Sequence, residues 1–256
     1  MSSKTFLTIS KKECLIVYRE ILENSDKKWN AGKKLADIGE YGGAISMAII
    51  SVEELIKALV VFLDGKGFEF RNVKGMNAIF NHHQIRYFLA YAMFVMSLFG
   101  EELLRFIGKV RENPNRIIKL SEEIKNNKEF FEKNMKFYLF RKMILIKEEF
   151  NWFSKVDIFR QDGFYCDYDD QLKNPIKITK EDYYEVLQRL ERVKKIGIAL
   201  IDSINTQDDI TTEQFDNIKH HFKQKDYYKK IADSLVTMRN TKQSPFDLIK
   251  QSFDKD

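Results

Sequence analysis

Apolar residues recur at helical spacing along most of this chain, and one stretch is apolar on almost every side. From Tyr41 to Leu63 it reads YGGAISMAIISVEELIKALVVFL. Wound at helical pitch, Ala44, Ala48, Val52, Leu55, Leu59 and Leu63 form one stripe, which Ile45, Ile49, Ile56 and Val60 widen. A helix of this kind is either a membrane span or the centre of a helical domain. Glu53, Glu54 and Lys57 in its middle decide for the second, because charges at the centre of a bilayer are costly. Lys57 is i,i+4 from Glu53 and i,i+3 from Glu54, yet one lysine cannot neutralise two carboxylates. A partner from elsewhere in the fold is expected.

The flanking segments predict further helices. Ser10 to Glu13 is a capping box opening a helix with Leu15, Ile16, Tyr18 and Leu22. A second helical stretch is expected from about Asp26 to Ile38, with Gly39 as its C-cap and Tyr41-Gly42-Gly43 turning the chain into the central helix. Asp64-Gly65-Lys66-Gly67 ends that helix. An apolar helical pattern runs from about Asn77 to Val110, broken at Asn113-Pro114-Asn115, and another helix, or two in series, covers roughly Ile117 to Phe159. Gln161 to Pro175 is the least helical part, expected as a loop folded back on the bundle by Phe164, Tyr165 and Tyr168. Thr179 with Asp182 caps a helix to about Ile204. Thr211 with Gln214, Asp226, and Ser244-Pro245 mark later starts. No stretch alternates at strand period, so the reading is all-α: a main helical domain over 1–205 and a C-terminal helical extension over 206–256.

Composition changes this picture little. Three prolines and eleven glycines suit a helical chain of 256 residues. The net charge of +5 is concentrated: Arg105 to Lys155 holds 13 Lys/Arg against 7 Asp/Glu. Such a segment either meets RNA, DNA or an acidic protein, or is a solvated helix face. Cys14 and Cys166 read as free thiols. The first residues lack the apolar run of a signal peptide, and Tyr87 to Phe99 is too short to span a bilayer, so a cytoplasmic protein that does not engage membrane is expected.

Candidate chemistry is sparse. The four histidines form two adjacent pairs, His82-His83 and His220-His221, whose members point in different directions on a helix. No metal-ligand spacing, phosphate loop or nucleophile elbow occurs, so no metal and no cofactor is expected. His83 and Arg86 share a helix face, from which Arg86 can reach Glu53 or Glu54. Two readings stay open: a buried ion-pair network that fixes helix register, or a polar pocket of Glu54, Lys57, His83 and Arg86. In the pocket the histidine would act as acid or base and the cations would hold a phosphate.

Three pieces in order carry a family resemblance. The run from Ala36 to Phe62, ADIGEYGGAISMAIISVEELIKALVVF, resembles the helix of AbiV-type abortive infection proteins, where a small-residue turn precedes an Ala-rich helix bearing E-E-x-x-K. His83-Gln-Ile-Arg86 is similar to the family's H-x-x-K, with arginine for lysine. Arg160 to Tyr168, RQDGFYCDY, resembles its R-x-x-G-L-Y-V-D-Y loop, and Pro175 and Ile178 its P-x-x-I segment. The resemblance covers about Ala36 to Leu190. It implies a HEPN-like helical bundle, antiphage defence and homodimers.

Many HEPN proteins are ribonucleases using Arg-x(4–6)-His, a spacing absent here. Arg160-Gln161 starts the motif, but Tyr165 stands where the histidine is expected. The resemblance therefore leaves catalysis open. If RNA is cut, the expected catalytic set is Glu54, Lys57, His83, Arg86, Arg160 and Tyr165, with Asp167 and Tyr168 binding ligand. The expected partners are a second copy of the chain, a phage-encoded protein as trigger or target, and RNA as substrate. The alternative is a non-catalytic module that captures a phage or host protein.

Overall fold

Reciprocal hydrogen bonds between two buried serines join the first pair of helices. In the computed structural model, which describes residues 4–72, 78–112, 128–169, 171–206, 220 and 244–247, helix α1 spans Lys11–Asp37 and α2 spans Tyr41–Gly65. Ser25 Oγ donates to the Ser51 carbonyl and Ser51 Oγ to the Ser25 carbonyl, both at 2.7 Å. Gly32 lies against Ala44 and Ala48, and Gly65 against Cys14 and Leu15, so the two helices run antiparallel. α1 is therefore one helix where two were expected. Ser25 and Asp26 resemble a cap, but Ser25 is fully buried and its hydroxyl is used in packing. Tertiary contact overrides the local signal. The turn into α2 comes earlier than Gly42-Gly43, at Gly39, whose φ of 86° is the left-handed conformation that glycine adopts freely. The capping box of Ser10 and Glu13 forms as the sequence predicts.

Among the described residues, four more α-helices follow α2 before Gly163. A short helix α3 spans Ala78–Asn81, α4 spans His83–Glu112, α5 spans Lys128–Ser154 and α6 spans Val156–Asp162. Two of them, α4 and α6, pack on α2. The apolar pattern from Asn77 predicts one helix, yet the chain breaks at His82. Arg86 supplies the reason: its Nη1 donates to the carbonyls of Ile79 and Phe80, at 2.8 and 3.2 Å. Those carbonyls end α3 on a side chain rather than continuing the helix ladder. α4 runs antiparallel to α5 and α6, since Tyr91 meets Ile146 and Tyr87 meets Asp157.

Helix α7, Lys180–Asn205, opens with the Thr179–Asp182 capping box and completes the bundle. Its Gly197 sits between Leu55 of α2 and Met93 of α4. Arg189 donates to Glu149 at 2.8 Å and lies over the Trp152 ring, tying α7 to α5. The core is centred on α2, where Leu55, Ala58, Val61 and Phe62 are fully buried. Burying side chains such as Leu55, Val61 and Phe62 contributes about 1.5–3 kcal/mol each. Ser244 and Asp247 form a capping pair around one turn at 245–247, and Phe246 packs edge-on against Phe88 and Phe150. The helix starts expected at Thr211 and Asp226 lie outside the described residues, as do most of the extension over 206–256 and much of the basic Arg105–Lys155 segment.

The stretch after α6 departs from the all-helical pattern in a small way. Strands β1, Asp167–Asp169, and β2, Gln171–Lys173, form an antiparallel pair, followed by a single 3-10 turn at Pro175–Lys177. Among the described residues this is the only sheet, and the fold class remains all-α. Cys14 is buried and Cys166 exposed, both as free thiols. Among the described residues, no helix is long and apolar enough to cross a membrane.

Candidate functional site

Glu53, in the middle of α2 and 4% exposed, is the carboxylate around which the polar residues of three helices gather. The first turn of α4 supplies His83, Arg86 and Tyr87, which share one face by i,i+3 and i,i+4 spacing. His83 Nδ1 lies 2.7 Å from Glu53 Oε2, and Arg86 Nη2 donates to the same oxygen at 2.8 Å. Tyr87 donates its phenolic proton to Glu53 Oε1 at 2.5 Å. From α6, Arg160 Nε lies 3.7 Å from Glu53 Oε1 and donates to the Tyr87 oxygen at 3.1 Å. Asp157, one turn before, accepts from Arg160 Nη2 at 2.8 Å and from Gln161 at 2.9 Å. The partner that the uncompensated charge on α2 demands is thus Arg86, reinforced by His83 and Tyr87.

The electrostatics follow from this geometry. Burial pushes the Glu53 carboxyl up, but hydrogen bonds from His83 and Tyr87 and the charge of Arg86 together outweigh it and hold the pKa down at about 2. Glu53 is therefore ionised. Burial pushes the Tyr87 phenol well up, and the Glu53 charge adds to this, so Tyr87 stays a proton donor. Burial alone would lower Arg160, but its bonds to Asp157 and Tyr87 raise it above its ordinary value.

Proton placement on His83 follows as well. Nδ1 cannot donate to Glu53 and accept from Arg86 Nη2, 2.8 Å away, at the same time. The bond to the carboxylate is charge-assisted and Arg86 already has that carboxylate as acceptor, so we assign the proton to Nδ1. Nε2 is then the imidazole's free acceptor, on a side chain 44% exposed. Arg160 keeps a free edge too: Nη1 makes no hydrogen bond among the described residues, and the side chain is 19% exposed.

Arg160 is held from behind by a close backbone approach. Ser46 Oγ donates to the Arg160 carbonyl at 2.8 Å. Three residues on, a Cβ at Gly163 would overlap the Gly42 carbonyl oxygen and Ser46 Oγ. A Cβ at Gly42 would in turn stand 3.0 Å from the Gly163 carbonyl and from Pro175. The two glycines let α6 end directly on the first turn of α2, which sets where Arg160 emerges.

His83, Arg86 and Arg160 converge as a set on one carboxylate. Glu54 does not join them: it pairs with Lys57, i,i+3 along α2, in a separate ion pair in which the two side chains are 17% and 19% exposed. Consecutive helix positions diverge by about 100°, so only one of Glu53 and Glu54 can face α4. Tyr165 and Tyr168 are 65% and 75% exposed, and Asp167 is exposed, so these rings do not fold back on the bundle as expected. That segment is anchored by Gly163 and Pro175 instead. Sequence reasoning missed Tyr87 and Asp157. Tyr87 follows His83 by four positions and Asp157 precedes Arg160 by three, the spacings that would have found them.

The HEPN_AbiV family model, described as AbiV, matches residues 13–196. No curated protein and no solved structure matches the chain. The match spans both helices that bear the Glu53–His83–Arg86 cluster, the Arg160 helix and most of α7. The chain belongs to the AbiV family of HEPN-like, abortive-infection-type defence proteins.

Proposed function

We propose that this protein is an antiphage effector that arrests growth or translation on infection by cutting RNA at the Glu53–His83–Arg160 cluster, with a phage-encoded protein as trigger or target. One observation carries the reading: a single buried carboxylate holds His83 through one oxygen and adjoins Arg160 at the other, while Nε2 and Nη1 make no hydrogen bond among the described residues. His83 Nε2 takes the proton of a ribose 2′-hydroxyl as its oxygen attacks the adjacent phosphorus. Arg160 Nη1 holds the phosphate and offsets the charge that develops on it. The phosphorus–5′-oxygen bond breaks, the departing oxygen takes a proton from solvent, and a cyclic phosphate and a 5′-hydroxyl result. Glu53, Arg86 and Tyr87 position these two groups and do not touch the substrate; Arg86, 4% exposed, is out of its reach.

Total RNA from cells expressing the protein, with and without phage, tests this reading. Discrete cleavage that disappears in both His83→Ala and Arg160→Ala proteins is the expected result. Intact RNA in cells that remain protected would overturn it and favour the second reading, a non-catalytic module that captures a phage or host protein. The observation behind that second reading is the exposure of Tyr165 and Tyr168 beside the site's helix. Homodimerisation is part of the proposal and is read by sedimentation of the purified chain.

A further inference from the structure

Beyond the Arg160 helix the chain forms a two-stranded ribbon with an uncovered apolar face. Tyr168 and Leu172 stand directly opposite each other in the antiparallel register, so their side chains emerge on the same face. Tyr168 is 75% and Leu172 49% exposed. Tyr165 and Ile176, just before and just after the ribbon, are 65% and 85% exposed. Strands of three residues are too short to hold themselves together in water. This ribbon is fixed at its base, where Gly163 and Pro175 meet Gly42 and Asn174 Oδ1 accepts the Ile176 N–H at 3.0 Å. Among the described residues no third strand pairs with either edge of it.

Charge identifies what would cover this face. From Gln161 to Lys173 the sequence holds four aspartates against one lysine, Lys173, which stands opposite Asp167 in the ribbon, within a chain of net charge +5. Asp167 is exposed, and one of its oxygens accepts the Tyr168 N–H. A concentration of carboxylates repels a phosphate backbone, which removes RNA stacking as the use of these tyrosines. The same carboxylates attract ammonium and guanidinium groups, which also pack favourably over tyrosine faces.

We propose that the 167–173 ribbon, with Tyr165 and Ile176, is a docking surface for an extended, lysine- or arginine-bearing segment of another protein. The segment adds along an edge of the ribbon and lays apolar side chains over Tyr168 and Leu172, while its cations meet the aspartates. This binding does not depend on the RNA-cutting reading, since His83 takes no part in it.

Fluorescence anisotropy on the purified full chain tests the proposal with a labelled short peptide alternating Lys and Val. Saturable binding that weakens with added salt is expected, with no binding of the counterpart alternating Glu and Val. Tyr168→Ser/Leu172→Ser and Asp167→Lys should each weaken binding about tenfold or more at an unchanged melting temperature. Ile16→Ser, at an apolar residue 62% exposed on α1, should leave binding unaltered, and so should His83→Ala whatever its effect on RNA. Equal binding of the two peptides, wild-type binding by the ribbon variants, or no saturable binding overturns the proposal. Binding of a single-stranded oligouridylate that Tyr168→Ser abolishes overturns it in favour of RNA.

Discussion

Glu53 and Arg86 meet at 2.8 Å across the α2–α4 contact with each side chain 4% exposed. A pair this enclosed has no water to fall back on, so removing one partner strands the other charge. Glu53→Gln should destabilise the fold by about 3–5 kcal/mol. Glu54→Gln, in the more open pair with Lys57, should change stability by less than about 1 kcal/mol. Urea unfolding followed by circular dichroism compares the two, and similar losses would contradict the assignment of Glu53 as the central charge.

Acid should act on the same residue. The Glu53 carboxyl titrates at about 2 in the folded chain against 4.5 as its ordinary value, so folding favours the ionised form. Its contribution is complete above pH 4.5 and is lost as pH falls toward 2. The shift corresponds to a contribution on the order of 3 kcal/mol. Glu13, held down to about 2 by Lys4 and then by Ser10, titrates in the same window. The Glu53 share is therefore read from the difference between wild type and Glu53→Gln. That difference in urea midpoint should narrow steadily from pH 5 to about pH 3, and a constant gap would refute it.

Gly163→Ala should harm the protein through one methyl group. Its Cβ would overlap the Gly42 carbonyl oxygen and Ser46 Oγ, so α6 must move off α2 and carry Arg160 with it. Overpacking of this kind costs about 1–3 kcal/mol. Gly100→Ala is the counterpart: a Cβ there meets nothing within 4 Å. It lies within α4, where alanine should stabilise by up to about 1 kcal/mol. Melting temperatures of opposite sign for the two variants are the expected outcome.

What the sequence made legible here is what short-range rules encode. The capping boxes at Ser10 and Thr179 and the cap at Ser244 form where their spacing places them. The charge surplus on α2 announced that a cation must arrive from outside, and His83-Gln-Ile-Arg86 pointed to where it comes from. Phase is what remained hidden. Glu53 and Glu54 are equivalent in sequence, and only the packing of α4 on α2 turns one of them inward. Tyr87 reads as the first ring of an apolar run, and nothing local says that its hydroxyl bonds Glu53. Asp157 reads as an ordinary helix-surface acid until Arg160 is seen folded over it. The continuity of α1 was hidden for a related reason, because Ser25 caps nothing and bonds α2 instead.

The two arginines of the cluster should separate when each becomes lysine. Arg160 uses Nε on Tyr87 and Asp157 and Nη2 on Asp157, while Nη1 makes no hydrogen bond among the described residues. A lysine keeps the charge but has one nitrogen and no planar fork, so it cannot hold Asp157 and a phosphate in fixed relation. Arg160→Lys should reduce RNA cleavage by about 100-fold or more, while lowering stability by about 1–2 kcal/mol. Arg86 has the reverse character: its guanidinium joins Glu53 to the carbonyls of Ile79 and Phe80 and is closed to substrate. A lysine at 86 keeps the charge but cannot bond Glu53 and both carbonyls at once, so the main effect of Arg86→Lys should be on folding, about 1–3 kcal/mol. Cleavage rates measured at a temperature where both variants stay folded, beside their unfolding curves, separate the two roles. Wild-type cleavage by Arg160→Lys would remove Arg160 from substrate contact and leave the cluster as a buried device that fixes how α2, α4 and α6 meet.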